Sequence, residues 1–305
     1  MVHASVIVCT HNPRPKYLER VIGALRKQVL PCTDWELLLV DNASEPAVAS
    51  YLDLSWHPNA HHVRENELGL AAARLRGMAE AVADLLVFVD DDNVLATDYL
   101  SEALKIEQGW PALGTWGSGT IVAEFEKPPA DYLKPYLTCL ALRDNKKAYW
   151  SNVLTCSNAT PVGAGMCVRA SVANEYRRLH NADAMRLTDR KGASLVGHGD
   201  YEIAYVGCTL DLGMGVFPEL KMTHLIPEVR VSEKYLLQLA EANQISGGLL
   251  DYKWLGEPPP DPLSVRGILG MVKNVVLTGG FHRKHHLALM RGRIKAKRRL
   301  AAYNH

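Results

Sequence analysis

The sequence predicts an α/β fold organised around a mostly parallel sheet flanked by helices. Three observations carry that expectation. Short β-branched apolar runs recur through the N-terminal part of the chain, helix-period segments separate them, and polar residues gather just after each run.

Ser5 to Cys9 is the first such run, continuous rather than alternating, as in a strand buried on both faces. Pro15 then opens a helix whose apolar face is Leu18, Val21, Ile22 and Leu25, at i, i+3, i+4 and i+7. Proline suits a helix start because its missing N–H has no partner there anyway. Glu36 to Val40 is the second buried strand, and a shorter one lies near His62 and Val63. Leu68 to Val82 is Ala-rich and helix-favouring, Leu85 to Val89 is a further strand, and Thr97 is the expected N-cap of the helix that follows. Strands alternating with helices imply right-handed parallel crossovers, and ligands of such sheets bind beyond the carboxyl ends of the strands. Beyond residue 110 the pattern loosens, with Gly114, Gly117, Gly119, Pro128, Pro129 and Pro135. That half reads as an irregular extension of the same sheet. The expected organisation is one domain over 1–227, with halves 1–110 and 111–227, and a helical extension over 228–305 interrupted by Pro258-Pro259-Pro260.

The chain has 305 residues, 48% of them hydrophobic and 22% charged, as a globular protein with a proper core requires. A formal net charge of +1 gives no general attraction to nucleic acid. The average hides a basic tail, since no Asp or Glu occurs after Asp261. Six cysteines are dispersed without a C-x-x-C pair, so neither a disulfide framework nor a zinc site is expected. No apolar stretch approaches the roughly 18 residues that span a bilayer, and the chain enters a strand almost at once, so no signal peptide is expected. A cytoplasmic protein is the default expectation.

The strand Leu85 to Val89 runs directly into Asp90-Asp91-Asp92-Asn93. Adjacent carboxylates repel unless a cation neutralises them, and hard divalent ions take oxygen ligands while keeping positions open for phosphate oxygens. In an extended segment Asp90 and Asp92 share one side and Asp91 points to the other. The same residues would also serve as an acidic cap on the next helix.

Four segments in order carry a resemblance: Ser5-Val6-Ile7-Val8-Cys9-Thr10-His11-Asn12, Leu38-Leu39-Val40-Asp41-Asn42-Ala43-Ser44, Asn66-Glu67-Leu68-Gly69-Leu70-Ala71-Ala72-Ala73-Arg74, and Val89-Asp90-Asp91-Asp92. Together they resemble family 2 of the inverting glycosyltransferases, which have the GT-A fold. The resemblance implies a nucleotide pocket lined by Thr10 and Asn12, with Asp41 accepting hydrogen bonds from the base. It implies Arg74 near the ribose or diphosphate, Asp92 as direct ligand of Mn2+ or Mg2+, and Asp90 on the sugar or ribose. Leu75 departs from the pattern, which commonly has Asn there.

An inverting transfer needs a carboxylate that takes the acceptor hydroxyl's proton. Gly197-His198-Gly199-Asp200-Tyr201-Glu202 is a Gly-rich turn leading into a helix, similar to the family's Glu-Asp segment with Gly199 in place of the Glu. Asp200 is assigned as general base and Glu202 as a weaker candidate or orienting partner; a plain N-cap role for Asp200 is compatible with this. His224, late in a strand-like segment, is similar to the family's late histidine and is either a metal ligand beside the aspartates or a buried structural residue. Gly163, within Pro161-Val162-Gly163-Ala164-Gly165, lets the backbone approach a sugar closely.

The expected partners are a nucleotide-diphosphate sugar, UDP-linked by preference, and a saccharide or lipid-linked saccharide acceptor in cell-envelope or glycan synthesis. The apolar positions Ile268, Leu269, Met271, Val272, Val275 and Val276, followed by the basic residues, admit either an anionic membrane contact or a helix packed on the protein. A sugar nucleotidyltransferase would want a Gly-rich loop after the first strand, where this chain has Thr10-His11-Asn12-Pro13. A non-catalytic nucleotide-sugar-binding protein is the remaining alternative.

Overall fold

A computed structural model describes residues 2–155, 157–183, 185, 190, 192, 194–260, 264, 270 and 278–303. The chain divides into two compact units. The first comprises Met1–Glu124, Ala141–Asp183 and Asp200–Leu225; the second comprises Phe125–Leu140, Ala184–Gly199 and Ile226–His305.

In the first unit, β1 (Ala4–Thr10) and β2 (Trp35–Asn42) are buried along their whole lengths, as continuous apolar runs require. Between them α1 (Pro15–Leu25) buries Leu18, Val21, Ile22 and Leu25. Then come β3 (Ala60–Glu65), α2 (Leu70–Glu80), β4 (Leu85–Asp90), the short β5 (Asn93–Leu95) and α3 (Tyr99–Gly109). The N-cap of α3 is Asp98 rather than Thr97, and its side chain makes no capping bond. The Gln28 side chain instead accepts from the Leu100 N–H, at 3.0 Å. A long-range partner has taken over the local cap.

The sheet order is β3-β2-β1-β4 followed by β9 (Met166–Arg169), β6 (Leu113–Phe125), β10 (Gly213–Ile226) and β5. Pairings among the first four strands are parallel, whereas β4 to β9, β9 to β6 and β10 to β5 are antiparallel. Two small strands complete the sheet, β7 (Arg143–Asp144) on β6 and β8 (Tyr149–Ser151) on β10. The chain steps outward from β1 to β3, then returns through α2 to β4 on the other side of β1. The switch in strand order therefore lies at the carboxyl ends of β1 and β4, which are Thr10 and Asp90.

The irregularity expected after residue 110 is absent from β6, a strand of 13 residues. Its glycines are positions of close approach. A Cβ on Gly119 would stand 2.6 Å from the Phe217 carbonyl carbon and 2.7 Å from the Pro218 nitrogen. A Cβ on Gly117 would stand 2.9 Å from the Pro161 side chain. Helices α4 (Ala170–Ala182) and α5 (Gly199–Thr209) precede β10.

In the second unit, α6 (Glu233–Leu255) starts at Ser232, whose hydroxyl accepts from the Tyr235 N–H, and stops at Gly256 with φ of 69°. The last described helix, Gly280–Tyr303, runs beside α6 in the same direction. Lys284 pairs with Glu233, and Arg291 and Lys295 both pair with Glu241. Ala288, Gly292, Ala296 and Leu300 form its buried stripe. These basic residues thus belong to a packed helix, in line with the second of the two roles the sequence admits. The apolar positions Ile268 to Val276 that suggested a membrane contact lie outside the described residues, as does Cys156. Among the described residues, no helix is long and apolar enough to cross a membrane.

Candidate active site

The loops after β1 and β2 are laced together at the switch point. Thr10 is buried and donates its hydroxyl to Asp91 Oδ2 at 2.5 Å. Asn12 takes φ of 46°, a left-handed conformation that Asn tolerates better than most residues. Its N–H donates to the Ser44 hydroxyl, and its side-chain oxygen accepts from the Glu45 N–H, each at 2.9 Å. Asp41 is buried at the end of β2 and accepts from the Ser44 and Val48 N–H groups, both at 3.0 Å, and from Arg64 Nη1 at 2.6 Å. Burial alone would raise the pKa of this carboxyl. The donors from Ser44, Val48 and Arg64 outweigh it and hold the group below the ordinary carboxylate range. The sequence reading did not foresee Arg64, which reaches Asp41 from the neighbouring strand β3.

The three consecutive aspartates separate at the turn that links β4 to β5. Asp91 turns back to Thr10. Asp90 lies on the Arg74 side, with Oδ1 3.8 Å from Arg74 Nη2. Asp92 Oδ2 lies 3.6 Å from His224 Nε2, and its Oδ1 accepts from the Asn93 amide at 2.7 Å. The partner His224 arrives by strand pairing, since β10 lies antiparallel to β5 with His224 opposite Asn93. The Leu225 N–H donates to the Asp92 carbonyl at 2.8 Å and fixes this register. Asp92 and His224 side chains are each 9% exposed, whereas Asp90 is 36% exposed. The turn therefore presents one carboxylate to solvent and keeps another beside an imidazole.

A carboxylate next to an imidazole is a donor set that suits Mn2+ better than Mg2+. Among the described residues no group of three or more His, Cys, Asp or Glu side chains converges as a metal cage. The Asp92–His224 pair fits an ion that the protein holds by two ligands. Diphosphate oxygens and water would supply the others, as is usual for cations that act on phosphates.

Arg74, Asp90, Gly163 and Asp200 form a connected set. Arg74 projects from α2 into a buried position, where its guanidinium lies over the Phe88 ring, 6.0 Å from the centroid. Gly163 lies directly against it: a Cβ there would collide with Arg74 Nη2 and stand 3.1 Å from Cζ. The Gly163 N–H donates to Asp200 Oδ2 at 2.8 Å, and the Tyr201 N–H donates to Oδ1 at 3.0 Å. Those bonds use two of the carboxylate's roughly four acceptor positions. Glu202 is only 2% exposed, whereas Asp200 is half-buried, so of the two it is Asp200 that solvent reaches.

A second arginine also carried no sequence signal. Arg143, on β7, donates Nη2 to the Thr160 carbonyl at 2.8 Å, while its Nη1 is buried without a hydrogen-bond partner. Burial lowers its pKa, and the nearby Tyr201 and Asp200 act in the opposite direction. A single Arg in a two-residue strand has no motif around it, so the sequence offered no signal. Leu75, the departure from the family pattern, lines a separate groove of about 240 Å3 with Glu65, Glu67, Arg76 and Arg177.

Residues 5–137 match the family model described as Glycosyl transferase family 2. No curated protein matches the chain. Among solved structures, the mannosyltransferase PcManGT from Pyrobaculum calidifontis, in complex with GDP-Man and Mn2+, is similar with a TM-score of 0.53 and 17% identity. The match covers 96% of this chain and 86% of that one. S. aureus TarS 1-349 in complex with UDP-GlcNAc matches at a TM-score of 0.46 and 14% identity, over 97% of this chain and 92% of that one. The likeness to PcManGT bears on the fold, which is of the GT-A type.

Proposed function

We propose that this chain, whose residues 5–137 match the model of glycosyl transferase family 2, moves a sugar from a nucleoside-diphosphate sugar to an acceptor hydroxyl with inversion. The observation that carries the reading is the linked set Arg74–Asp90, Arg74–Gly163 and Gly163–Asp200, which joins a buried cation to a half-buried carboxylate through one glycine.

Each side chain then has a task. Asp200 takes the proton from the acceptor hydroxyl as its oxygen attacks the anomeric carbon. Its two N–H donors fix the carboxylate's orientation and leave acceptor capacity for that proton. Arg74 is a fixed cation that meets negative charge developing on the departing diphosphate, in a place where water does not screen it. Asp90 holds sugar or ribose hydroxyls. Thr10, Asn12 and Asp41 shape the nucleotide pocket. Because Asp41 already receives three internal donors, its share in base recognition is to anchor the loop after β2 as well as to accept from a base. Asp92 and His224 would hold Mn2+ or Mg2+, which when bound supplies Lewis-acid stabilisation of the diphosphate.

UDP is the preferred nucleotide, and the acceptor is a saccharide, free or lipid-linked, of cell-envelope or related glycan synthesis. The test is a panel of UDP-, GDP- and dTDP-sugars with Mn2+ or Mg2+, read by thermal stabilisation and by release of nucleoside diphosphate. At least one donor is expected to raise the melting temperature only with metal and to be turned over. A panel in which no nucleotide sugar shifts melting contradicts the proposal.

A further inference from the structure

A second constellation of chemistry-bearing side chains lies in the second unit, and the proposed transfer uses none of it. The helix Gly280–Tyr303 begins with Phe281-His282-Arg283-Lys284-His285-His286. His282 and His286 are four residues apart, so a helix places them on one face, one turn above the other. Their Nε2 atoms are 3.0 Å apart. The rings meet edge-on, with centroids 4.5 Å apart and planes at 81°. On its far side the His282 ring is held: Nδ1 lies 2.7 Å from the Tyr136 hydroxyl. Tyr136 comes from the 3-10 segment Asp131–Leu140, whose place is fixed in turn by its edge contact with Phe281, at 4.9 Å between centroids.

Two imidazoles meeting nitrogen to nitrogen at this distance cannot both be protonated. Either one N–H is shared between them, or a cation replaces the proton and takes both lone pairs. Three features favour the cation. A ring oriented by a partner on its other nitrogen is the usual second shell of a metal-bound histidine. That contact admits the tautomer the site needs: with the Nδ1 proton donated to the Tyr136 oxygen, Nε2 of His282 carries a lone pair. The pair is also open to metal exchange, since His282 is exposed and His286 half-buried. An ion about 2.1 Å from each nitrogen across the observed 3.0 Å subtends an N–metal–N angle of about 91°. That lies close to octahedral, and a small opening of the rings reaches tetrahedral. His285 is not part of the set; its ring packs over Tyr136, 4.7 Å between centroids.

We propose that His282 and His286, oriented through Tyr136, form a surface site for a zinc-class divalent ion, distinct from the Asp92–His224 pair. Nitrogen-only donors select borderline ions such as Zn2+ or Co2+ over Mg2+ and Mn2+.

The test is calorimetric titration of the full chain with Zn2+ in excess Mg2+, alongside Co2+ absorption spectra. The wild type and the His224→Asn variant are expected to bind Zn2+ alike through this site. His282→Asn and His286→Asn should each weaken it by at least about tenfold, and Tyr136→Phe by about tenfold through loss of ring orientation. His285→Asn should leave it unchanged. Circular dichroism confirms that each variant is folded, since the residues lie at a helix start. The proposal is overturned if the double variant His282→Asn/His286→Asn binds Zn2+ as the wild type does. It is equally overturned if binding disappears with His224→Asn, or if the wild type binds no Zn2+ and the imidazoles merely share a proton.

Discussion

Gly163→Ala separates the site's chemistry from its stability. The added Cβ would overlap Arg74 Nη2 and stand 3.1 Å from Cζ and 3.5 Å from Nη1, so its three nearest neighbours are all the one guanidinium. Ordinary contact needs about 3.5 Å, so the guanidinium must retreat by about 1 Å. Because the obstacle is the far end of a flexible side chain and not backbone, the fold gives way cheaply. The stability cost should be under about 1 kcal/mol, which is about 2–4 °C in melting temperature for a domain of this size. A 1 Å misplacement of a group that meets the transition state can cost about 10²-fold in rate. The assay is nucleoside diphosphate release under saturating donor, paired with a melting curve, for Gly163→Ala, Arg74→Ala and the double variant. The expected result is a near-native melt, a fall in kcat of about 10²-fold, and a double variant no slower than Arg74→Ala alone, since both changes act through one guanidinium. Wild-type kcat in Gly163→Ala, or losses that multiply in the double variant, would refute the reasoning.

Two further predictions concern the fold. His57 is buried, with its ring 4.2 Å from Trp35. Its Nδ1 accepts from the Asn59 N–H at 3.1 Å while Nε2 has no partner. Burial, and to a lesser degree His61, lowers its pKa to about 4. Between the unfolded value of about 6.5 and that lower value the unfolded chain binds a proton the folded chain refuses. Stability is therefore complete above the window and falls as pH drops through it. Urea melts should show this slope reduced in His57→Asn, which keeps the acceptor and removes the titration. Gly292→Ala should destabilise the second unit by about 1–3 kcal/mol. Its Cβ would meet the Glu241 carbonyl oxygen at 2.5 Å and Gln244 Cβ at 2.6 Å, and backbone cannot retreat as Arg74 can. A lowered melting temperature checks it.

How much of this was legible in sequence depended on the range of the cause. β1, β2 and β4 announce themselves because a strand buried on both faces has no choice but continuous apolar side chains, and the carboxylates must follow such a strand to lie at the switch point. The 13 residues of β6 were hidden because Gly114, Gly117 and Gly119 read locally as breakers. Gly114 leaves room for Val172 and Leu212, Gly117 for Pro161 and Gly119 for Phe217, residues far along the chain. Thr97 lost the cap of α3 to Gln28 for the same reason. In the site, Asp92 and His224 were both nameable from sequence, but their 3.6 Å approach depends on the β5–β10 register, which no local pattern encodes. Arg64 and Arg143 carried no motif, and only tertiary packing shows which carboxylates they neighbour.

The central claim is that one carboxylate serves the cation and another serves the acceptor. Asp92→Asn and Asp200→Asn, compared for metal-dependent nucleotide binding and for transfer, test it most directly. Asp92→Asn is expected to abolish the metal-dependent thermal shift with nucleotide, while Asp200→Asn keeps that shift and stops transfer. Equal nucleotide binding by the wild type and Asp92→Asn, or undiminished transfer by Asp200→Asn, would contradict the account.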